Sequence, residues 1–181
     1  MKIGIGFIAH NRIELTKQSL SALLKQPFDV GIIIDNASTD GTHAYLHRVA
    51  CHHPQLYVVA NQNNLYPGAA RNQIVKYLRD QVDLIVFHDN DIIVPEGCFE
   101  TLPNIFAALP SLGQVSPLAA PKDFLLETYR VAGYELAKTI SCCTSAINVV
   151  RSTLFRQGLR WRELRWHPED NGEICEDYYW V

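Results

Sequence analysis

The sequence has little that would place the protein in a membrane, outside the cell or on nucleic acid. It contains no apolar run long enough to cross a bilayer, and its first residues lack the cleavage region of a signal peptide. Its five cysteines are odd in number and form no Cys-x-x-Cys pair, which argues against a disulfide framework and a zinc knuckle. The net charge of −3 gives no general attraction to nucleic acid or acidic lipid. We therefore expect a cytoplasmic protein with no transmembrane segment and no nucleic-acid partner.

The glycine-rich loops that commonly bind phosphate are also missing. Gly4 and Gly6 fall inside the first apolar run, and no G-x-x-x-x-G-K-[ST] sequence occurs. This absence counts against P-loop NTPases and against dehydrogenases. If the protein binds a diphosphate, a metal ion held by carboxylates must bind the phosphate groups in place of the backbone N–H groups that bind them in those folds.

The residues that are present predict an α/β fold. Hydrophobic residues make up 48% of the chain and charged residues 19%, which is typical of a globular domain. Four apolar runs rich in β-branched residues predict strands covered on both faces, at 3–9, 30–34, 56–60 and 84–87. Segments of helical period lie between these runs. Strand alternating with helix predicts a mainly parallel, Rossmann-like sheet with helices on both faces.

The second half of the chain has a weaker pattern. Residues 114–117 and 145–150 are candidate strands, and a helix expected after Pro95 must break or restart at Pro103. Residues 159–181 mix aromatic, basic and acidic side chains with no clean period. We expect one domain over 1–181 with an irregular C-terminal half. Because the last residues resemble part of a structural element more than a tail, we also expect that half to be truncated.

Polar and acidic residues follow three of the four predicted strands. The runs are His10-Asn11-Arg12, Asp35-Asn36 and His88-Asp89-Asn90-Asp91. In an open parallel sheet the ligand crevice lies outside the carboxyl ends of the strands, so the three aspartates should gather there. Grouped carboxylates repel one another, and a cation relieves the repulsion. Mg²⁺ or Mn²⁺ is the expected cation, because hard metals prefer oxygen ligands.

These blocks, taken in order, resemble the family 2 glycosyltransferases, which have the GT-A fold. Residues 32–42 resemble that family's apolar run followed by Asp-x-x-Ser-x-Asp-x-Thr, and 64–72 resemble its Asn-x-Gly block that closes on Arg-Asn. Residues 86–91 supply an Asp-x-Asp motif at a strand end. Residues 151–158 followed by Glu176-Asp177 resemble the segment that leads into the family's Glu-Asp pair.

The resemblance implies a metal-dependent, inverting glycosyltransferase of the hexosyltransferase type. Such an enzyme moves a sugar from a nucleotide-diphosphate sugar, here expected to be UDP-linked, to a hydroxyl of a carbohydrate or other acceptor. Mn²⁺ or Mg²⁺ would be its cofactor. Residues 1–112 would form the nucleotide-sugar-binding half and 113–181 the acceptor half. Peripheral membrane association is compatible with this assignment.

The resemblance also implies roles for individual residues. Asp35 would contact the nucleobase, usually uracil. Asp91 would ligate the metal, and Asp89 would lie near the ribose or diphosphate and share the metal. Asp177 would be the catalytic base, with Glu176 beside it binding the acceptor or shaping the pocket. The implied nucleotide-binding residues are Ala9, His10, Asn11, Asp35, Asn64, Gly68, Arg71, Asp89 and Asn90.

The sequence departs from the family pattern at two positions and leaves two other functions open. His10 stands where members often carry a bulky residue, and Ile92 stands where the family has its next acid. A nucleotidyltransferase of related fold is one alternative, although such an enzyme would require a lysine- and glycine-rich phosphate loop in place of residues 10–12. A non-catalytic sugar-nucleotide-binding module is the other.

Several polar residues also have plain structural interpretations. Asp40, with Ser38, is expected to cap the following helix. Asn36 and Asn72 are expected to tie down loop backbone. The i, i+4 spacing of His43 and His47 permits zinc, but a solvated helix face is favoured.

The Arg/Trp cluster at 160–167 also admits two interpretations. Its aromatic and basic residues could stack on nucleic-acid bases. The cluster is short and the chain is acidic overall. We therefore expect it to form a loop on the acceptor side.

Overall fold

A computed structural model of the protein describes residues 1–117, 125–131, 133–139 and 146–161. The strands in this part of the chain are β1 (Ile3–Ala9), β2 (Val30–Asp35), β3 (Leu56–Ala60), β4 (Leu84–Asp89), β5 (Gln114–Val115), β6 (Leu125–Val131), β7 (Tyr134–Thr139) and β8 (Ile147–Arg151). The helices are α1 (Ile13–Leu23), α2 (Thr42–Ala50), α3 (Tyr66–Leu78), α4 (Leu102–Ala108) and α5 (Ser152–Arg156).

Six strands form one sheet in the order β3-β2-β1-β4-β8-β5. The four apolar runs predicted as strands pair with one another in parallel orientation. β8 pairs antiparallel with β4, and β5 pairs antiparallel with β8, so β8 is the reversed strand of this sheet. β6 and β7 form a separate antiparallel pair. The prediction of a mainly parallel α/β sheet is confirmed.

Helices cover both faces of the sheet, which explains why its central strands lack polar alternation. One apolar cluster contains Leu20 of α1, Leu46 of α2 and Phe106 of α4. The cluster on the opposite face contains Ile74 of α3 and Phe155 of α5. Every residue of β1 is buried, as expected for a strand between two helical layers.

The two glycines of β1 let α3 lie close to the sheet. A Cβ at Gly6 would lie 2.7 Å from Cδ1 of Ile74 and closer still to its Cγ2. A Cβ at Gly4 would meet Val82 Cγ2 at 3.0 Å. The absence of side chains on this face of β1 therefore fixes the depth at which α3 packs.

The helix expected after Pro95 begins instead at Leu102, after a 3₁₀ turn at Cys98–Glu100. Pro103 lies in the first turn of α4, where its missing N–H needs no partner, so it does not break the helix. None of the helices in the described ranges combines the length and apolar character needed to cross a bilayer.

Candidate active site

The carboxyl ends of β2, β1 and β4 bring Asp35 and Asp89 to one edge of the sheet. Asp35 is in register with Ala9, and Asp89 is in register with Ile8, so the two acids flank the end of β1. Two strand spacings separate them, roughly 10 Å. The grouping of these acids predicted from the sequence is found in the structure.

Asn11 joins the loops that follow these three strands. Its backbone N–H donates to Ser38 Oγ at 2.8 Å, and its side-chain oxygen accepts from the Thr39 N–H at 2.7 Å. Its carbonyl accepts from the Asn90 amide at 2.8 Å. Asn11 and Arg12 both adopt left-handed backbone conformations, with φ of 56° and 59°. These contacts hold Asn11 and Asn90 in the floor of the crevice.

The buried Asn36 side chain connects the end of β2 to the start of α3. Its amide donates to Asn64 Oδ1 at 2.7 Å, and its oxygen accepts from the Asn61 amide and the Leu65 N–H. Asn64 in turn accepts from the Tyr66 N–H at 2.9 Å. The expectation that Asn36 ties down loop backbone is confirmed, and Asn64 acts in the same network.

Three further predicted nucleotide-binding residues lie around this network. Ala9 is buried, and its carbonyl accepts from the Asn36 N–H at 2.7 Å. The exposed His10 ring donates through Nδ1 to the Asn36 carbonyl at 2.8 Å. Gly68 is buried in the first turn of α3.

Arg71 runs from α3 beneath the edge of the sheet to Asp89. It is 1% exposed, and its guanidinium lies 3.5 Å from the Asp89 carboxylate. The same guanidinium packs over the Trp161 ring at 4.8 Å from the ring centre. Trp161 is itself buried against Phe87. Trp161 therefore supports the buried arginine, and the expectation that the Arg/Trp cluster at 160–167 forms an acceptor-side loop stays a prediction.

Asp91 lies in the loop that follows β4, beside Arg12. A guanidinium nitrogen of Arg12 is 2.7 Å from Asp91 Oδ2, and the two side chains are 61% and 37% exposed. Such an exposed pair contributes little to stability, typically about 0.2–1 kcal/mol. Arginines therefore neutralise both Asp89 and Asp91. Arg12 was not among the expected site residues, although its position directly after Asn11 could have indicated it.

The donor set at Asp89 and Asp91 suits a hard divalent cation that arrives with a diphosphate. Mg²⁺ in nucleotide enzymes is commonly bound through one or two carboxylates, with phosphate and water oxygens as the remaining ligands. Within the described ranges, no three His, Cys, Asp or Glu side chains lie together as a metal site. Two carboxylates fit a shared metal of this kind, provided that the exposed Arg12 side chain moves away from Asp91.

Both oxygens of the Asp35 carboxylate have hydrogen-bond donors from the same chain. Oδ1 accepts from the Ser38 N–H at 3.0 Å, and Oδ2 lies 2.8 Å from Nδ1 of His43. Asp35 is 2% exposed, whereas the His43 side chain is 50% exposed. The i, i+4 spacing of His43 and His47, which permits zinc, therefore has another explanation, because His43 contacts Asp35. In a β-loop-α unit the first turn of the helix returns to the strand end, and this signal could have identified His43.

His88, the residue before Asp89 in β4, is a buried core histidine. Burial lowers its pKa to about 4, and hydrogen bonding to the Asp89 carbonyl and the charge of Asp91 oppose this shift only in part. Its Nδ1 lies 2.8 Å from the Asp89 carbonyl oxygen, and its ring stacks on Phe7. His88 therefore fixes the backbone at Asp89.

Asp40 binds the first turns of two helices. Oδ2 accepts from the Ile13 N–H of α1 at 2.9 Å, and Oδ1 accepts from the Thr42 N–H of α2 at 3.1 Å. Burial acts to raise the pKa of Asp40, but hydrogen bonds from Thr42 and Ile13 outweigh it and hold that pKa below 3.8. Asp40 thus caps α2 as expected, but Ser38 does not, because its hydroxyl accepts from the Asn11 N–H.

The remaining expectations divide between the described and undescribed parts of the chain. Asn72 exchanges two hydrogen bonds with the backbone of Trp161, so its predicted role in tying down backbone is confirmed. Glu176 and Asp177, expected as the acceptor-side acids, lie outside the described residues, as do residues 162–167 of the Arg/Trp cluster.

Comparison with known families and structures agrees with this geometry. The family model described as glycosyl transferase family 2 matches residues 5–130. A search of curated proteins found no match.

Solved glycosyltransferase structures share the fold. The mannosyltransferase PcManGT from Pyrobaculum calidifontis, in complex with GDP-Man and Mn²⁺, is 18% identical with a TM-score of 0.68, over 98% of this chain and 49% of that one. TarS 1-349 from S. aureus, in complex with UDP-GlcNAc, is 18% identical with a TM-score of 0.70, over 98% of this chain and 53% of that one. This similarity shows the GT-A fold. The chain spans about half the length of these structures.

Proposed function

The chain belongs to glycosyl transferase family 2, and from this membership we propose that it is a metal-dependent, inverting glycosyltransferase. It takes a sugar from a nucleotide-diphosphate sugar, UDP-linked in our proposal, and passes it to an acceptor hydroxyl. The observation that carries the proposal is the meeting of Asp35 and Asp89 on either side of the end of β1, with Asp91 exposed in the loop that follows β4.

The two ends of the crevice differ in a way that suits a sugar nucleotide. At the β2 end Asp35 is buried and neighboured by polar loops, which fits a nucleobase that is read by hydrogen bonds. At the β4 end Asp89, Asp91 and their arginine partners provide charges of both signs, which fits a diphosphate with its cation. PcManGT is in complex with GDP-Man and Mn²⁺, and TarS with UDP-GlcNAc, which supports a sugar nucleotide as the ligand.

We assign the residues of the crevice as follows. Asp89 and Asp91 hold the divalent metal, and Arg71 supports Asp89 from below. Ala9, His10, Asn11, Asn64, Gly68 and Asn90 shape the nucleotide pocket through the loop contacts described above. When bound, the metal neutralises the charge that develops on the departing nucleoside diphosphate.

The reaction requires a base on the acceptor side, which we assign to Asp177, with Glu176 contacting the acceptor. Asp177 removes the proton from the acceptor hydroxyl as that oxygen attacks the anomeric carbon on the face opposite the leaving group. The carbon–oxygen bond to the diphosphate breaks as the new bond forms. A single displacement of this kind inverts the configuration.

Donor hydrolysis tests the proposal without knowledge of the acceptor. With Mn²⁺ and a panel of UDP-sugars, the protein should slowly release UDP from at least one of them. Release of pyrophosphate from UTP and a sugar 1-phosphate would instead indicate a nucleotidyltransferase, and binding of a UDP-sugar with neither release would indicate a binding module. Either result would overturn the proposal.

The base assignment is tested by Asp177→Asn in the same assay. The variant should release UDP about 10²–10⁴-fold more slowly than the parent, while its affinity for UDP stays unchanged. Asp170→Asn makes the same substitution in the same stretch of sequence and serves as the matched control. Equal turnover of Asp177→Asn and the parent would remove Asp177 from this role.

A further inference from the structure

In this structure the Asp35 carboxylate is buried and each of its oxygens already has a hydrogen-bond partner, so a nucleobase would have to displace His43 to contact it. The Ser38 N–H occupies Oδ1 and the His43 ring occupies Oδ2, at 3.0 and 2.8 Å. Only 2% of the side chain is exposed. The group of this pair that faces the crevice is therefore the His43 ring, which is hydrogen-bonded to Asp35.

His43 is suited to act in its place. Its side chain is half exposed, it lies in the first turn of α2, and its ring is supported by the ring of His47 at 4.5 Å between centres. An ionised carboxylate only accepts hydrogen bonds, so the nitrogen that faces Asp35 carries the hydrogen. In the neutral imidazole the other nitrogen, Nε2, is then a hydrogen-bond acceptor.

We propose that His43 is the residue that reads the nucleobase, with Asp35 as a positioning residue that fixes its tautomer. This inference rests on the proposed function of the crevice. An acceptor at Nε2 pairs with bases that carry a ring N–H on their pairing edge, which are uracil and guanine. On the same edge cytosine and adenine present a ring-nitrogen lone pair, which repels Nε2, and their only hydrogens there are on the exocyclic amino group beside it. The donor class is therefore a uridine or guanosine diphosphate sugar.

The competing arrangement has the opposite consequence for a His43 variant. If His43 were only a placeholder that swings out so that Asp35 can bind the base, removing its ring would expose the carboxylate. Affinity for UDP would then stay the same or rise. If His43 makes the contact, affinity must fall.

The experiment compares UDP with CDP, whose bases differ at this edge, by titration calorimetry with Mn²⁺. The parent should bind UDP about tenfold more tightly than CDP. His43→Ala should bind UDP about tenfold more weakly and lose the preference over CDP. His43→Gln should retain part of both, because its amide can donate to Asp35 and accept from the base. His52→Ala, which removes an exposed histidine ring just beyond the end of α2, is the matched control and should retain the preference.

Pyrophosphate, which has no base, provides the control for folding and metal binding. Its affinity should be the same in the parent and in His43→Ala. Unchanged or tighter UDP binding by His43→Ala would overturn the inference while leaving the proposed function standing. Failure of the folded parent to bind any nucleoside diphosphate would instead overturn the proposed function, and this inference with it.

Asp35→Asn tests the positioning role. The new amide can still accept from the Ser38 N–H through its oxygen, but it donates to Nδ1 of His43, which moves the ring hydrogen to Nε2. The preference should then reverse towards CDP, about tenfold relative to the parent. A merely structural role for Asp35 predicts weaker binding of both nucleotides with no reversal.

Discussion

At the scale of single residues, each acid of the crevice is paired with another side chain of the same chain. Arg12 lies against Asp91, Arg71 against Asp89, and His43 against Asp35. Each acid therefore already has a partner in the protein, and a nucleotide sugar must compete with that partner for the acid. The exposed Arg12 can move at little cost, but the buried Arg71 cannot leave Asp89 without losing its packing on Trp161.

His88 should make the fold sensitive to acid. Its pKa is lowered from 6.5 to about 4 by burial, so below pH 6.5 the unfolded chain binds a proton that the folded chain does not. The free energy of unfolding therefore falls as the pH drops from 6.5 to about 4, by on the order of 3 kcal/mol from this residue. Urea denaturation at several pH values, in EDTA to exclude metal effects, measures it.

The matched variant is His88→Phe, which keeps a ring on Phe7 and cannot titrate. The Asp89 carbonyl retains the Ser19 hydroxyl as a donor, at 3.3 Å. The difference in stability between parent and variant should shrink, or change in favour of the variant, from about pH 7 to about pH 4.5. A difference that stays constant over that interval would show that His88 does not cause the acid sensitivity.

At the scale of elements, the packing of α3 on β1 determines where Arg71 reaches the crevice. Gly6→Ala should destabilise the fold by about 1–3 kcal/mol, because the added methyl overlaps the Ile74 side chain. Gly4→Ala adds the same group to the same face of β1 with a closest approach of 3.0 Å, so it should cost less. Chemical denaturation of both variants tests the order.

A double variant identifies the cause. In the background Ile74→Ala, where the overlapping side chain is gone, Gly6→Ala should cost clearly less than in the parent. The two substitutions should thus show a coupling of about 0.5–3 kcal/mol. An equal cost in both backgrounds would mean that backbone freedom at Gly6 is responsible, and that contact with α3 is not.

Most of the parallel half of the fold could be predicted from the sequence, because buried parallel strands appear as continuous apolar runs. The predicted run 84–87 is part of β4. Of the two strands beside it in the sheet, the parallel β1 was predicted in the same way, but the antiparallel direction of β8 was not. No stretch of helical period between β5 and β8 indicates their directions, so the antiparallel pairing of β8 with β4 and with β5 was not predictable. Pro103 could have been placed, because a proline in the first helical turn costs nothing.

The site was predictable only to the level of the strand ends. Register along β1 follows from the strand pattern, and it places Asp35 and Asp89 correctly. The partners of these acids depend on loop conformations such as the left-handed backbone at Asn11 and Arg12. Residues other than glycine seldom adopt that conformation, and no local sequence pattern required it here. The contact of Arg12 with Asp91 was therefore found only in the structure, although the positions of Arg12 and His43 beside strand ends could have marked both residues as candidates.

At the scale of the whole molecule, the chain should be stabilised by metal and nucleotide acting together. Two carboxylates alone make a weak cation site, and a diphosphate completes the ligand set. At ligand concentrations of about 100 Kd, binding stabilises a protein by about 2.7 kcal/mol, which corresponds to a rise in Tm of roughly 5–10 °C at this size. Mn²⁺ with UDP should give this rise in a thermal melt, and either one alone should give much less.

Asp91→Asn should abolish the joint effect. Glu96→Gln removes an exposed acid a few residues away and should retain it. A full rise in Tm with Mn²⁺ alone, unaffected by Asp91→Asn, would place the metal elsewhere and disconnect it from the nucleotide.

The double cap made by Asp40 has a consequence for motion in the crevice. Because one carboxylate binds the starts of both α1 and α2, neither helix can tilt away from the sheet by itself without breaking a hydrogen bond. Arg12 stands immediately before α1, and His43 lies one residue into α2. Through Asp40, a displacement of Arg12 or of His43 together with its helix should therefore be transmitted to the other residue.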